Sequence, residues 1–420
     1  MKQTAVHSYD VIIVGAGIAG CTAAILFART GLTVALIERQ SDITAYKKLC
    51  THYIQASAKP VLDRLGISPL IEAAGGVRNR MDIWTRDGWI QWRKDSRFSP
   101  HGYSLRREKL DPLLRQLAAT APGATFFNGH ALRQLQRDTN GRVVGIVTDE
   151  QRNKQTHRFN GRLVVAADGH YSKTADLLGV KGRHWTNGRF GYFAYYRHLP
   201  LREKTTAQIW FMQPDVAYAF PNDDDLTLIA YMPTLDKRPL FRPDPHTALE
   251  HHFAALPDAP DMRLAERTSS ALGMLKGELH WRPATVSGAA LVGDAAASTD
   301  PLWGCGCGWA FESAAWLADA TTAPLLNGED VGRALGRYKR THWWRLVGHN
   351  WFNGSFASGR DFYFHERVVL AAAARDTEIA RHIHAFAARH IGVGELYSPR
   401  KFFRSVWFIL QKAINWHFAF

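Results

Sequence analysis

Along the chain, the apolar run Val11-Ile12-Ile13-Val14 breaks at Gly15-Ala16-Gly17-Ile18-Ala19-Gly20, continues with helical spacing, and returns as a second apolar run ending at Glu38. That succession predicts a βαβ unit of a parallel sheet. A helix is expected across Ile54–Leu65, closed by Gly66. Arg80–Arg93 reads as a hairpin turning at Asp87-Gly88. Leu110, Leu113, Leu114 and Leu117 share one side of a helix over Leu105–Ala119, with Pro112 expected in its first turn. Short strands are expected over Val143–Thr148 and Leu163–Ala167. From Arg189 to Pro233 the pattern changes to repeated aromatic and β-branched strands, as expected of an antiparallel sheet inserted into a nucleotide fold. Ala289–Asp294 returns to a buried strand, followed by a glycine-rich turn and a helix over Ala310–Thr321. Beyond about Val331 the pattern is mainly helical. The expected division is a nucleotide-binding domain in two parts (1–180 and 281–330), a sheet subdomain (181–280) and a helical C-terminal region (331–420).

The first unit carries chemistry. Gly15 permits the tight turn out of the first strand, Gly17 lets a pyrophosphate approach the helix N-terminus, and Gly20 lets helix and strand pack closely. Glu38 ends the second strand, where a carboxylate accepts hydrogen bonds from ribose hydroxyls. A lone GxGxxG is weak evidence; strand, helix, strand and acidic terminus together predict a bound dinucleotide.

Composition narrows the rest. The chain has 420 residues, 46% hydrophobic and 21% charged, as in an ordinary globular protein. No signal peptide or membrane-spanning run is read, and four cysteines do not suggest a disulfide framework, so a cytoplasmic location is expected. The net charge of +14 is unusual. Its Lys and Arg residues are scattered and no nucleic-acid motif is present, so nucleic acid is not expected, whereas an acidic partner stays open.

Two further buried strands run into turns: Leu163–Thr174 (LVVAADGHYSKT) into Asp168-Gly169, and Ala289–Ala310 (AALVGDAAASTDPLWGCGCGWA) into Gly293-Asp294. Behind the N-terminal unit, and in this order, the chain resembles the flavoprotein monooxygenase superfamily of the para-hydroxybenzoate hydroxylase fold, in its halogenase and geranylgeranyl reductase branch. The resemblance runs from Tyr9 to Thr321. It implies an α/β fold: a Rossmann-like FAD-binding domain with an inserted antiparallel β-sheet substrate subdomain and a helical C-terminal region. FAD is the implied cofactor. Gly15, Gly17, Gly20, Glu38 and the neighbouring Arg39 are implied at its ADP half, and Asp294 at the ribityl or pyrophosphate part. Asp168 belongs to the shared FAD/NAD(P)H motif. Arg107, in SLRREKLDPLL, is implied at the phosphates or ribityl oxygens, with Arg106 as the alternative one residue away. Pro301, Gly304 and Gly306 are implied along the isoalloxazine.

The implied activity is FAD-dependent monooxygenation of an aromatic or electron-rich substrate through a flavin C4a-hydroperoxide, in specialised metabolism. NAD(P)H is the expected electron donor. Ala175 stands where the Asp-Gly motif normally continues to arginine, so a separate flavin reductase is the alternative source. Val216–Pro221 (VAYAFP) lacks the halogenase W-x-W-x-I-P pattern, which argues against halogenation. Asp300-Pro301 and Lys48-Leu49-Cys50-Thr51 make a prenyl double-bond reductase the rival. The charge and the aromatic, basic segment Phe402–Phe420 motivate a third reading, a flavoprotein that contacts a partner or a membrane surface. The substrate is expected to be organic, free or bound to a carrier protein or peptide. Trp303 and Trp309 suit either ring packing or an ordinary core. Cys305 and Cys307 read as small residues filling a tight turn; no metal ligands are expected. No catalytic base is assigned among His170, His184 and His198.

Overall fold

The computed structural model describes residues 5–275 and 277–407. β1 (Ala5–Val14) lies parallel to β2 (Val34–Glu38) on one side and to Thr156–Ala166 on the other, with α1 (Ile18–Ala28) as the first crossover. Ala124–Asn128 extends the parallel series beyond β2, and Ala289–Leu291 extends it beyond Thr156–Ala166. Their apolar stretches, Val11–Val14, Val34–Ile37 and Leu163–Ala166, are covered on one face by helices and on the other by Leu132, Val143 and Ile146 of two antiparallel strands together with Ala175 and Leu178. Every residue of α1 is buried; the helix is clamped between the sheet and the long helix Gly306–Leu326. A helix enclosed in this way is apolar around its whole circumference rather than amphipathic.

The second sheet has ten strands. Gly191–Arg197, Thr227–Met232, Val216–Pro221 and Thr206–Phe211 are mutually antiparallel, and the last runs parallel to Val77–Thr85. The sheet therefore takes strands from residues 53–104 as well as from the span 181–280. Alternate side chains explain its composition. Ile209, Phe211, Val216, Tyr218 and Phe220 pack against Trp303 and the C-terminal helices Gly332–Ala357, Phe364–Ala373 and Thr377–Ala387. Trp210, Ala217, Ala219 and Ile229 face Leu249 and Phe253 of the helix Pro245–Ala254.

Local expectations meet four corrections. The segment expected as one helix over Ile54–Leu65 is a short strand (Tyr53–Ile54), a 3-10 turn and a helix Lys59–Leu65. Pro60 belongs in a first turn, and Gly66 closes the helix at φ +70°. Pro112 is not in the first turn of its helix, Arg107–Thr120, but lies inside it. Arg106 is still extended, the helix begins at Arg107, and Arg107 pairs with Asp111 one turn on. The proline leaves the Glu108 carbonyl without its helical donor. Third, only Gly304 of the glycines just before Ala310 lies in a turn; Gly306 and Gly308 belong to the first turn of Gly306–Leu326. A hairpin forms within Arg80–Arg93, but its turn is Arg86-Asp87 rather than Asp87-Gly88: Gly88 pairs with Thr85 and Trp89 with Trp84, and the second strand ends at Ile90. Most of Phe402–Phe420 lies outside the described residues; residues 399–407 are helical, with Phe403 and Trp407 exposed.

A Cβ at Gly20 would come 1.8 Å from the Gly15 carbonyl oxygen, a backbone atom with nowhere to go. Gly20→Ala is therefore expected to lose at least ~3 kcal/mol of stability, read from urea unfolding, or to fail to fold.

Candidate active site

The turns that carry the motifs leave the carboxyl ends of neighbouring parallel strands, where open α/β sheets bind ligands. Backbone hydrogen bonds tie them together: Gly15 N–H donates to Ile37 O (2.7 Å), Ala167 N–H to Val14 O (2.8 Å) and Val292 N–H to Ala166 O (3.0 Å). Gly15 has φ +103°, and a Cβ there would lie 2.5 Å from Ala167 O. Packing and backbone thus account for Gly15 and Gly20. Gly17 is different. Its φ of −85° suits any residue, and a Cβ would meet nothing within 4 Å. The space it leaves lies at the N-terminus of α1, where a diphosphate gains both N–H donors and the helix dipole. The residues present fit an FAD adenosine diphosphate there.

Glu38 is 9% exposed, with Oε2 accepting from Ala16 N–H (2.8 Å) and Oε1 from Gln40 N–H (2.9 Å). Those bonds fix the carboxylate at the end of β2 and leave lone pairs for ribose hydroxyls. Arg39 beside it is exposed. Asp168 directs its carboxylate into its own loop, accepting from Ser172 Oγ (2.5 Å), Thr174 N–H (2.9 Å) and Thr174 Oγ1 (2.8 Å). It shapes the turn that Gly15 packs against. Burial raises its pKa, with those donors pulling the other way. Ala175 is wholly buried in the cluster beneath the sheet. A buried cation near this turn comes from Arg282, bonded to Ala295 O (3.0 Å); burial lowers its pKa against the charges of Asp176 and Asp168.

Asp294 follows Gly293, whose φ is +57° and whose N–H donates to Ser313 Oγ (2.9 Å). Its Oδ2 accepts from Lys47 Nζ at 2.9 Å. Burial works to raise the Asp294 pKa; the Lys47 ammonium overrides it, and the carboxylate sits below its usual range. Lys47 belongs to the segment Ser41–Cys50, which Asp111 and Arg115 tether: Asp111 Oδ2 accepts from Lys47 N–H (3.1 Å), and Arg115 donates to Ile43 O (3.0 Å), Ala45 O and Ala16 O (3.0 Å). Arg107 is buried, donating through Nε to Asp111 Oδ1 (2.5 Å). Its two terminal nitrogens make no hydrogen bond among the described residues. Burial disfavours its charge, but Asp111 together with Cys50 and Cys307 more than restores it. Arg106 turns away, paired with Asp223, Asp224 and Glu108.

Asp300, 1% exposed, holds the turn Pro301–Trp303 by accepting from Leu302 N–H (2.8 Å) and from Asn187 Nδ2 (2.7 Å). Gly304 (φ +60°) would bring a Cβ within 3.0 Å of the Tyr53 ring. Trp309 N–H to Cys305 O (2.9 Å) closes the first turn of the helix. The N–H groups of Gly306, Cys307 and Gly308 precede that bond, so they remain available as donors. A Cβ at Gly306 would meet only Asp294 Oδ1, at 3.9 Å. Pro301 borders an apolar cavity of about 60 Å3 with Cys50, Thr51, Tyr218, Met232 and Met274. Trp303 and Trp309 are both buried: Trp303 packs on Phe211 and Phe352, and Trp309 under Arg389. Both are core aromatics here.

On the other side of Thr51 a groove of about 430 Å3 is lined by Lys48, His52, Tyr195 and Arg197. Phe193 and Tyr195, two residues apart on one strand, line cavity and groove from the same sheet face. His52 Nδ1 accepts from Arg107 N–H (3.0 Å), so neutral His52 carries its proton on Nε2, which bonds the Tyr195 hydroxyl. Burial raises the Tyr195 pKa, keeping the phenol protonated. Its proton is free to point into the groove. Motif spacing did not signal this pair, because 143 residues separate its members. His184 and His198 are exposed, and the His170 ring lies tilted against that of His280 (4.8 Å between centroids). His130, Glu150 and His157, on three strands paired antiparallel to one another, bring their ligating atoms within 4.8 Å of one another.

The chain matches the family model described as FAD binding domain over residues 8–343. It is 32% identical over 172 residues to digeranylgeranylglycerophospholipid reductase 2 of Methanopyrus kandleri, covering 41% of this chain and 40% of that protein. To the digeranylgeranylglycerophospholipid reductase of Thermoplasma volcanium it is 24% identical over 345 residues, 80% of this chain and 83% of the relative. Among solved structures, PqsL of Pseudomonas aeruginosa, titled "a probable FAD-dependent monooxygenase", superposes with a TM-score of 0.67 at 18% identity, over 89% of this chain and 98% of that one.

Two outcomes are expected. Gly17→Ala changes stability by less than ~0.5 kcal/mol yet weakens FAD retention, measured by flavin content after gel filtration. The Lys47–Asp294 pair stabilises the protein above the unfolded carboxylate pKa, and that contribution is lost as pH falls through the lower folded value. Lys47→Met therefore lowers the apoprotein Tm at neutral pH by an amount worth up to ~1 kcal/mol. The difference from wild type shrinks once the pH falls below about 4.

Proposed function

The chain belongs to the FAD-binding-domain family and is an FAD-dependent oxidoreductase; from that premise we propose a monooxygenase that hydroxylates an aromatic or other electron-rich substrate. The observation that carries this reading is the small apolar cavity beside Pro301, joined along one sheet face to a groove that the part-buried His52–Tyr195 pair lines. When bound, the flavin supplies the electron transfer and oxygen activation. Gly15, Gly17, Gly20 and Glu38 hold its ADP half. Arg107 and Asp294 orient its middle, and the N–H groups at Gly306–Gly308 stabilise negative charge at the ring edge. Pro301, Tyr218 and Met232 exclude water from the reacting face. Tyr195, held by His52, orients the substrate and donates or accepts a proton at its hydroxyl oxygen. Lys48 and Arg197 at the groove suit a substrate with an anionic end, free or on an acidic carrier, consistent with the +14 charge.

A second reading, reduction of a prenyl double bond, draws on the names of the two reductase relatives and on the apolar lining of the cavity. For electron supply, burial of Ala175 in the sheet cluster supports delivery by a partner flavin reductase rather than direct use of NAD(P)H.

Oxygen uptake separates the readings. With substrate and reductant, the hydroxylase consumes one O2 per product formed; turnover that persists without oxygen removes hydroxylation and favours the reductase. Tyr195→Phe is expected to lower kcat on the order of 100-fold with unchanged flavin content. In an anaerobic stopped-flow experiment NADPH alone leaves the flavin oxidised; rapid bleaching would overturn the partner-reductase proposal.

A further inference from the structure

Cys50 and Cys307 lie 257 residues apart, yet their sulfurs approach to 3.8 Å. Cys307 is fixed in the first turn of the helix Gly306–Leu326. Cys50 ends the irregular segment that crosses from Glu38 to Tyr53, tethered by Asp111, Arg115 and Asp294. The two thiols are unequal. Cys50 Sγ accepts from His52 N–H at 3.2 Å, faces the Arg107 charge, and shares a hydrogen bond with Cys307. Its pKa is pulled down by the Cys307 hydrogen bond, then by His52 and Arg107, against burial. The hydrogen bond with Cys50, together with burial, pushes Cys307 up. This is the arrangement of an attacking thiolate beside a resolving thiol. Cys50 also lines the apolar cavity at Pro301, so a small oxidant in that cavity meets it first. The remaining thiols are buried elsewhere, Cys21 against Ala16 O (3.4 Å) and Cys305 against Asn353 (3.3 Å).

We propose that Cys50 and Cys307 form a reversible, peroxide-driven disulfide that staples the Ser41–Cys50 segment to the head of the helix Gly306–Leu326. The Cys50 thiolate attacks one oxygen of hydrogen peroxide. The O–O bond breaks, an S–O bond forms, and hydroxide leaves and takes a solvent proton. The Cys307 sulfur then attacks the Cys50 sulfenic acid; the S–S bond forms, the S–O bond breaks, and a second water departs with the Cys307 proton. Two thiols and one peroxide give one disulfide and two waters, a two-electron oxidation. The sulfurs close from 3.8 Å to about 2.05 Å, the give coming from the irregular segment. Thiol–disulfide exchange with glutathione reverses the step.

The test uses the holoenzyme, reduced, desalted and treated with equimolar hydrogen peroxide, then alkylated under denaturing conditions and digested without reductant. Alkylatable thiols are expected to fall from four to two, with a Cys50–Cys307 linked peptide in the mass map and Cys21 and Cys305 alkylated. The link disappears after dithiothreitol and in Cys50→Ser. Oxidised wild type should also release FAD more slowly than reduced protein on dilution. Recovery of Cys50 as a sulfinic acid beside alkylated Cys307, or linkage of Cys50 to any other cysteine, overturns the proposal. Linkage with unchanged FAD release overturns the stapling.

Discussion

The near-contact between two turns governs the rest of the groove. The loop after β1 presses on the loop after Thr156–Ala166 so closely that Gly15 cannot carry a Cβ, and Gly20 fits only against the Gly15 carbonyl. Asp168 spends its carboxylate on keeping its own loop in that position. The turn after Ala289–Leu291 is held as closely, since a Cβ on Gly293 would meet Ala19 of α1 and Ala310 of Gly306–Leu326. Loosening that contact would move every donor the cofactor meets.

The nucleotide half was legible because its constraints are local in sequence. A strand that must be apolar, a turn that must be glycine and a carboxylate that must end the next strand fall within thirty residues of each other. Arg107 came from the resemblance alone, with Arg106 as the alternative; in the structure Asp111 one turn later holds Arg107 inward, while Arg106 is drawn to Asp223 and Asp224. Less was legible where burial is symmetrical. Val216–Pro221 and Thr206–Phe211 are buried on both faces, so neither alternation nor polarity tells which side meets the cavity. Trp303 and Trp309 stayed ambiguous on sequence for that reason.

Pairings across the fold left no trace in spacing. His52 finds Tyr195, and Cys50 finds Cys307, only because an irregular segment is drawn over the groove by side chains on other elements. The C-x-C spacing carried no sign of the second pairing: two residues apart at the start of Gly306–Leu326, Cys305 meets Asn353 in the C-terminal core and Cys307 meets Cys50. Proline and helix starts show the same limit. Where Arg107–Thr120 begins is set by an ion pair, and Pro112 is carried inside the helix despite its own preference.

The strand Ala289–Leu291 completes the parallel sheet by pairing with Thr156–Ala166, 125 residues earlier in the chain (from 166 to 291). During synthesis the partner strand emerges and waits. At ribosomal speed the wait is on the order of ten seconds, with Val164, Val165 and Ala166 presenting an apolar, unpaired edge. Nascent chains in that condition are natural clients for chaperones and natural seeds for aggregation. The yield of active protein in a cell would thus be set as much by how that edge is shielded on the ribosome as by the stability of the finished sheet.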